Sequence, residues 1–413
     1  MRFRKIALIL SIAVLFSFDV SAKPKTAKYY ENMYSFAKKM KEKRDLVKRV
    51  YKDIGEGEGE NYAPLISKII DEQYNYGVEQ DKNSFKDYEE WIYYTAMCAG
   101  ALKLNNKAAQ LKTIYTYVKS PIYLGTIAHV LALTGAKDEV LPWLNEHLRE
   151  MNMMVRKGSG GIGYKEEIVE GILLGMKEFK DLTSFEHVFF ATVPNYSERI
   201  REIAREVLTE ITDNPAPQIA TFINAEDDFS IVRELLAYAH KSSSSNEDKE
   251  KLYLSVLDRC LGQMVENNQE NLAFKPKAEQ DVVFYLGEIK ATSAEATKLI
   301  GEKWKADNKD KSGVSEDTNV KLINIEALRK IATPEASKVL LENLRFYYTA
   351  GKAGFGTGYG TKEGNKIFIA IIRALSEIGN SDEDIIMQLE LIKNADEFGM
   401  PVIHEAEKAL EKL

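Results

Sequence analysis

The amino-acid sequence predicts an all-α protein assembled from pairs of helices that stack on their neighbours. Three observations predict it. Apolar residues recur three and four apart through most of the 413 residues, while the alternation of a strand is almost absent, Val188-Phe189-Phe190-Ala191 being the only tempting run. Helix punctuation recurs too, as a glycine stop followed by Ser, Thr, Pro or acidic residues. Finally, three stretches are self-similar: Leu286 to Ile289 followed by Ser293 to Ala296, Leu328 to Ile331 followed by Thr333 to Ala336, and Leu375 to Ile378 followed by Ser381 to Asp384. Their leading leucines are 42 and 47 residues apart. A helix pair cannot bury its apolar face alone, so such units stack into one core, and a single array replaces the two or three domains that length suggests.

Taken in order, residues 1–22 read as a secretory leader. Arg2, Arg4 and Lys5 precede an apolar stretch from Ile6 to Phe18, and Val20-Ser21-Ala22 places small residues for cleavage before Lys23. The stretch is short of the ~18–20 residues a membrane-spanning helix needs, a retained anchor being the alternative. The expectation is an exported chain, periplasmic or secreted, soluble once the leader is removed. The formal net charge is −7, but Lys23 to Lys52 carries eleven Lys or Arg against Glu31, Glu42 and Asp45. That arm is a candidate for peripheral contact with an anionic surface, or else a solvated helix face. Residues 23–90 form a basic, Tyr-rich helical region, with 13 of the 21 tyrosines at or before Tyr123. Pairs such as Tyr29-Tyr30, Tyr93-Tyr94 and Tyr115/Tyr117 cannot all point inward. Some are therefore expected on a contact surface, the rest between long helices.

From residue 91 to 413 the repeat grammar takes over. Ser120-Pro121 opens a helix through Leu133, Gly135 ends it, and Asp138-Glu139 opens the next, with Leu141, Leu144 and Leu148. Ser197-Glu198 opens a helix to Ile211, and Asn214-Pro215-Ala216-Pro217 turns the chain. The runs 240–249 and 305–319 read as surface loops between helices. Thr333, Pro334 and Glu335 supply a cap oxygen, a first helical residue without an N–H, and a charge for the positive helix end. Ser381 and the acidic residues after it repeat that logic, and Gly379 stops the helix before them.

The final segment, Met400-Pro401-Val402-Ile403-His404-Glu405-Ala406-Glu407-Lys408-Ala409-Leu410, resembles the first helix of HEAT-like repeats, Pro-x-Val-Arg-x-x-Ala-x-x-Ala-Leu, with His404 in place of the usual Arg. The resemblance covers about residues 90–413. It implies a right-handed α-α superhelix, a HEAT-like solenoid of two-helix repeats in an exported bacterial protein. HEAT-like arrays are scaffolds and protein binders, so it implies a protein partner and transfers no catalytic residue.

Other motifs are weaker. Gly158 to Gly163 matches G-x-G-x-x-G, but a helix rather than a strand precedes it, and no cofactor is expected. Gly55 to Glu60 carries three carboxylates without the pattern of a calcium loop. The five histidines show no ligand spacing, and Cys98 and Cys260 are expected to be buried thiols. Two Gly-rich loops stand at equivalent points, each following a helix that ends Glu-x-Leu-Arg. One leads to Gly163-Tyr164-Lys165, the other through Phe355 to Gly358-Tyr359-Gly360. Tyr164, Lys165, Arg345, Phe355 and Tyr359 are the candidate binding residues; flexible connections are the alternative. The expected function is a non-enzymatic exported scaffold or protein-binding solenoid of the cell envelope. A cell-wall glycan- or peptide-acting enzyme on a helical scaffold and a periplasmic chaperone-like binder are the alternatives. No nucleic-acid partner is expected of an acidic exported chain.

Overall fold

The computed structural model describes residues 26–56, 61–76, 85–156, 165–192, 195–262, 269–309, 318–352, 362–395 and 397–413. Among these residues there are twenty α-helices and no strand, so the chain is all-α. Residues 1–22, which the sequence reads as a leader, and Tyr164, Phe355 and Tyr359 lie outside the described residues. The chain divides into two compact units, Met1–Ile211 and Thr212–Leu413, meeting just before the Asn214 to Pro217 turn.

In the first unit the helices are α1 (Ala27–Phe36), α2 (Met40–Gly55), α3 (Ala63–Tyr76), α4 (Phe85–Ala101), α5 (Ala108–Tyr115), α6 (Pro121–Leu133), α7 (Lys137–Arg156), α8 (Glu166–Phe179), α9 (Phe185–Phe190) and α10 (Glu198–Ile211). They form two layers. The even helices α2, α4, α6, α8 and α10 pack side by side, as do the odd helices α3, α5, α7 and α9, and α1 lies against α2. Helix α4 runs through residue 90, so the Tyr-rich N-terminal region belongs to the same stack. The tempting strand at Val188 is helix α9, where Val188 and Phe189 are buried.

In the second unit the helices are α11 (Ala216–Ala225), α12 (Phe229–Lys241), α13 (Asn246–Gly262), α14 (Gln269–Glu288), α15 (Ala294–Lys309), α16 (Thr318–Ile331), α17 (Pro334–Lys352), α18 (Lys362–Ile378), α19 (Glu383–Lys393) and α20 (Met400–Lys412). The alternation is the same: α12, α14, α16, α18 and α20 in one layer, and α11, α13, α15, α17 and α19 in the other. Stacking of alternate helices is the packing of an α-α superhelix, because each helix pair meets the next through both of its members. At the centre of this unit Trp304 Nε1 donates to Tyr347 Oη at 2.8 Å, so two buried aromatics satisfy each other.

The punctuation in the sequence is realised closely. Gly135 and Gly379 adopt φ of 81° and 73°, the left-handed conformation of a helix stop. Thr333 Oγ1 accepts from Ala336 N at 3.2 Å, and Ser293 Oγ from Ala296 N at 3.2 Å. At α19 the cap is one residue later than the sequence suggests. Asp382 accepts from Asp384 N at 2.9 Å, while Ser381 Oγ donates to the Leu413 carbonyl at 2.8 Å. A carboxylate beats a hydroxyl there because it also complements the positive helix end.

The even layer is tightest where α6 crosses α8. A Cβ built on Gly125 would overlap the Glu167 carbonyl, and one built on Gly171 would overlap the Gly125 carbonyl. Backbone therefore rests directly on backbone. A milder version joins α14 to α16, where a Cβ on Gly287 would sit 2.8 Å from Ala327 Cα.

A polar knot fixes the α8–α9 turn. Asp181 accepts from Thr183 N at 2.9 Å and Thr183 Oγ1 at 2.7 Å, and pairs with Lys137 Nζ at 2.7 Å. Lys137, then Thr183, holds its carboxyl down to about 2. An aspartate depressed in the folded state stabilises fully above its unfolded value, roughly 3.9, and loses that contribution as pH falls through the folded value. The difference in urea midpoint between the parent and Asp181→Asn is therefore expected to shrink as pH drops from about 4 to about 2. A difference that stays constant across that window would refute the assignment.

Candidate functional site

Four tyrosines form a row on three consecutive even helices of the first unit. Helix α4 buries Trp91 and Thr95 on one side, where Gln73 Nε2 of α3 donates to Thr95 Oγ1 at 2.8 Å. Glu90, Tyr93 and Tyr94 of the same helix reach the neighbours within the layer. Tyr94 lies 6.5 Å from Tyr51 of α2, ring centre to ring centre. Tyr93 lies 5.0 Å from Tyr94 and 4.9 Å from Tyr123 of α6. All four rings are half-buried.

Charged groups frame the row. Glu90 Oε1 accepts from Tyr123 Oη at 3.4 Å and its other oxygen meets Arg44 Nη1 at 3.2 Å, while Arg44 also pairs with Asp87. Lys48 Nζ sits 5.4 Å above the Tyr94 ring. Burial, then the neighbouring phenols, pushes the Tyr93 hydroxyl up to about 12. Burial also raises Tyr51, and burial followed by Glu90 raises Tyr123. These hydroxyls thus stay protonated at neutral pH. The row offers apolar ring surface with O–H donors at its edge, held by neighbours so that little rotamer freedom remains to be lost on contact.

The even layer of the second unit carries an unbroken series of charged contacts. Ion pairs join each helix to the next: Arg233 with Asp281, Glu288 with Lys330, Arg329 with Glu377, and Arg373 with Glu405. Beside them Phe284, Leu322, Ile323 and Ala327 line a shallow depression edged by Glu326 and Lys330.

Several groups that acid–base chemistry would need are in structural use. Glu89, buried on α4, accepts the backbone N–H groups of Lys119 and Ser120 at the start of α6. Glu166 accepts from Ser197 N at 3.3 Å before α10, and Glu250 from Thr292 N at 3.1 Å and Ser293 N at 2.9 Å before α15. Burial alone would raise the Glu250 carboxyl, yet the bonds from Ser293 and Thr292 outweigh it and hold it below the ordinary range. Each of these carboxylates clamps the opening of a helix two places further along. On the odd layer, Tyr115 Oη lies 3.0 Å from His147 Nε2, with Glu150 3.6 Å from the other ring nitrogen. Trp143 stacks on that imidazole and the phenol is buried. Among the described residues no group of three or more His, Cys, Asp or Glu is placed to hold a metal ion. Cys98 and Cys260 are buried and unpaired; burial raises both thiols, Cys260 to about 12.

Of the loop residues predicted to bind, two lie among the described residues. Lys165 precedes α8, its Nζ 3.2 Å from Met154 Sδ. Arg345, on α17 in the other unit, pairs with Asp384 of α19 at 3.2 Å and so serves the odd layer. Both Gly-rich loops join an odd helix to the next even one, the topological equivalence that the sequence implies. The tyrosine row was half legible: Tyr93-Tyr94 and Tyr123 stand out, but only packing brings Tyr51 beside them.

No family model, curated protein or solved structure matches this chain. Among the described residues, no helix is long and apolar enough to cross a membrane.

Proposed function

We infer that this is a non-enzymatic exported scaffold that binds an extended segment of a partner protein across the even layer of its first unit. The Tyr51–Tyr94–Tyr93–Tyr123 row carries the reading. Tyrosines dominate protein-contact surfaces because they bring large apolar area and a hydrogen bond at low entropic cost. A segment lying across α2, α4 and α6 meets the four rings in succession, with Glu90, Arg44 and Lys48 within reach of its polar groups. The leader at residues 1–22 supports export, and the HEAT-like grammar of the second unit supports a binding array. The Gly-rich loops that carry Tyr164 and Tyr359 are a second candidate contact, each within its own unit.

The test is capture of envelope proteins by the chain beginning at Lys23, a chain that retains every described contact. Tyr94→Ala with Tyr123→Ala is expected to weaken capture of a specific partner by several hundredfold, since anchor residues cost roughly 2 kcal/mol each and every 1.4 kcal/mol is a factor of about ten. The half-buried positions keep the loss of melting temperature small. Capture that survives this pair but is lost in Tyr164→Ala with Tyr359→Ala would move the site to the loops. Turnover of cell-wall glycan or peptide by the same chain would sink the scaffold reading.

A further inference from the structure

The α1–α2 corner carries a feature that protein capture does not use. Helix α1 buries Tyr30 and Tyr34 against its neighbours, yet Tyr29, Met33 and Phe36, at i, i+4 and i+7, form a second stripe facing outward. Phe36 is 78% exposed and Met33 41%, at the tip where the chain turns into α2. An exposed apolar stripe of this kind marks a candidate contact surface.

Charge on the same corner says what covers it. Lys38 and Lys39 follow Phe36 in the turn, Lys41 lies in the first turn of α2, and Arg49 lines the depression between Phe36 and Leu46. All four side chains point to solvent, and among the described residues none has an ion-pair partner. Of the acids nearby, two are ion-paired elsewhere and Glu42 keeps its charge while capping the turn. Glu42 accepts from Lys38 N at 3.1 Å and Lys39 N at 3.2 Å, Asp45 is held by Arg44 at 2.7 Å, and Glu31 faces Lys68 at 3.4 Å. The corner thus combines a projecting aromatic with four exposed cations against the single unpaired carboxylate of Glu42, the pairing that suits the headgroup boundary of an anionic bilayer.

We propose that the α1–α2 corner docks this protein on an anionic lipid bilayer, with Phe36 and Met33 entering the headgroup boundary and Lys38, Lys39, Lys41 and Arg49 facing lipid phosphates. This goes beyond the protein-binding reading and does not depend on it, because it uses none of the residues of the tyrosine row.

The experiment is co-sedimentation of the chain beginning at Lys23 with vesicles of phosphatidylglycerol and phosphatidylcholine, compared with phosphatidylcholine alone. Binding is expected only to the anionic vesicles and is expected to weaken as salt rises from ~0.1 M to ~0.5 M. Charge reversal in K38E/K39E/K41E is expected to weaken it at least about a hundredfold, given roughly a fivefold contribution from each lysine near such a surface. Phe36→Ser, at an exposed position and therefore without effect on melting temperature, is expected to weaken it about tenfold. Absence of binding to anionic vesicles, equal binding to neutral ones, or unchanged binding by both variants would overturn the proposal.

Discussion

Gly171→Ala is expected to destabilise the first unit by about 3 kcal/mol, at the top of the range for inserting a methyl into a filled site. At roughly 3 °C per kcal/mol for a unit of this size, the melting temperature falls by about 9 °C. The reason is what the methyl meets. At Gly171 it meets the carbonyl of Gly125, and at Gly125 that of Glu167, so no side chain can swing away and the helices themselves must part. Gly125→Ala should cost about as much, and the double variant less than the two together, because one separation of α6 from α8 relieves both. Gly262→Ala is the control: it ends α13 with no atom within 4 Å of an added Cβ, and alanine's better helix propensity makes it neutral or slightly stabilising. If Gly171→Ala melts with Gly262→Ala, the close crossing does not exist.

Glu89→Ala is expected to cost about 2–3 kcal/mol, because the buried Glu89 carboxylate is a hydrogen-bond acceptor that nothing else replaces. Its carboxylate is the acceptor for the N–H groups of Lys119 and Ser120, and Ser120 makes no side-chain cap bond of its own to α6. Truncation leaves those donors facing a part of the fold that the protein has closed around a carboxylate, and an unmade hydrogen bond costs more than a made one contributes. Glu89→Gln keeps an acceptor oxygen and should cost about 1 kcal/mol. Urea midpoints give the ranking, and amide exchange at Lys119 and Ser120 locates it. Exchange there that is equally slow in parent and alanine variant would show that the clamp does not hold the start of α6.

The parts of the fold legible in the sequence are those governed by neighbours in the chain. Ser120-Pro121 with Gly135 delimits α6, and Thr333-Pro334 opens α17, because caps and stops act within four residues. The layers followed from repetition. The inter-helix clamps were not legible, since nothing local marks Glu89, Glu166 or Glu250 among 63 acidic residues. The glycine crossing was hidden likewise: Gly125 and Gly171 are unremarkable mid-helix glycines until the helices that carry them are placed together. At the candidate site the chain displayed the aromatic pair Tyr93-Tyr94 but not its partners, because the distances between rings are set by helix packing rather than by spacing along the chain. Asp382 outcompeting Ser381 is a smaller case, two possible cap acceptors side by side with the choice made by charge.

The carboxylate clamps also bear on how the chain reaches its folded state. Glu89 is joined to Ser120 across 31 residues, Glu166 to Ser197 across 31, and Glu250 to Ser293 across 43. Every clamp therefore closes as soon as the following helix pair exists, with no need of the distant end of the chain. Low separation between partners makes for fast, local closure, and nearest-neighbour stacks can grow from wherever they start. A chain that emerges with its N-terminus leading locks each turn of the stack behind the last while the remainder is still arriving, so that little unfinished apolar surface is exposed at any moment.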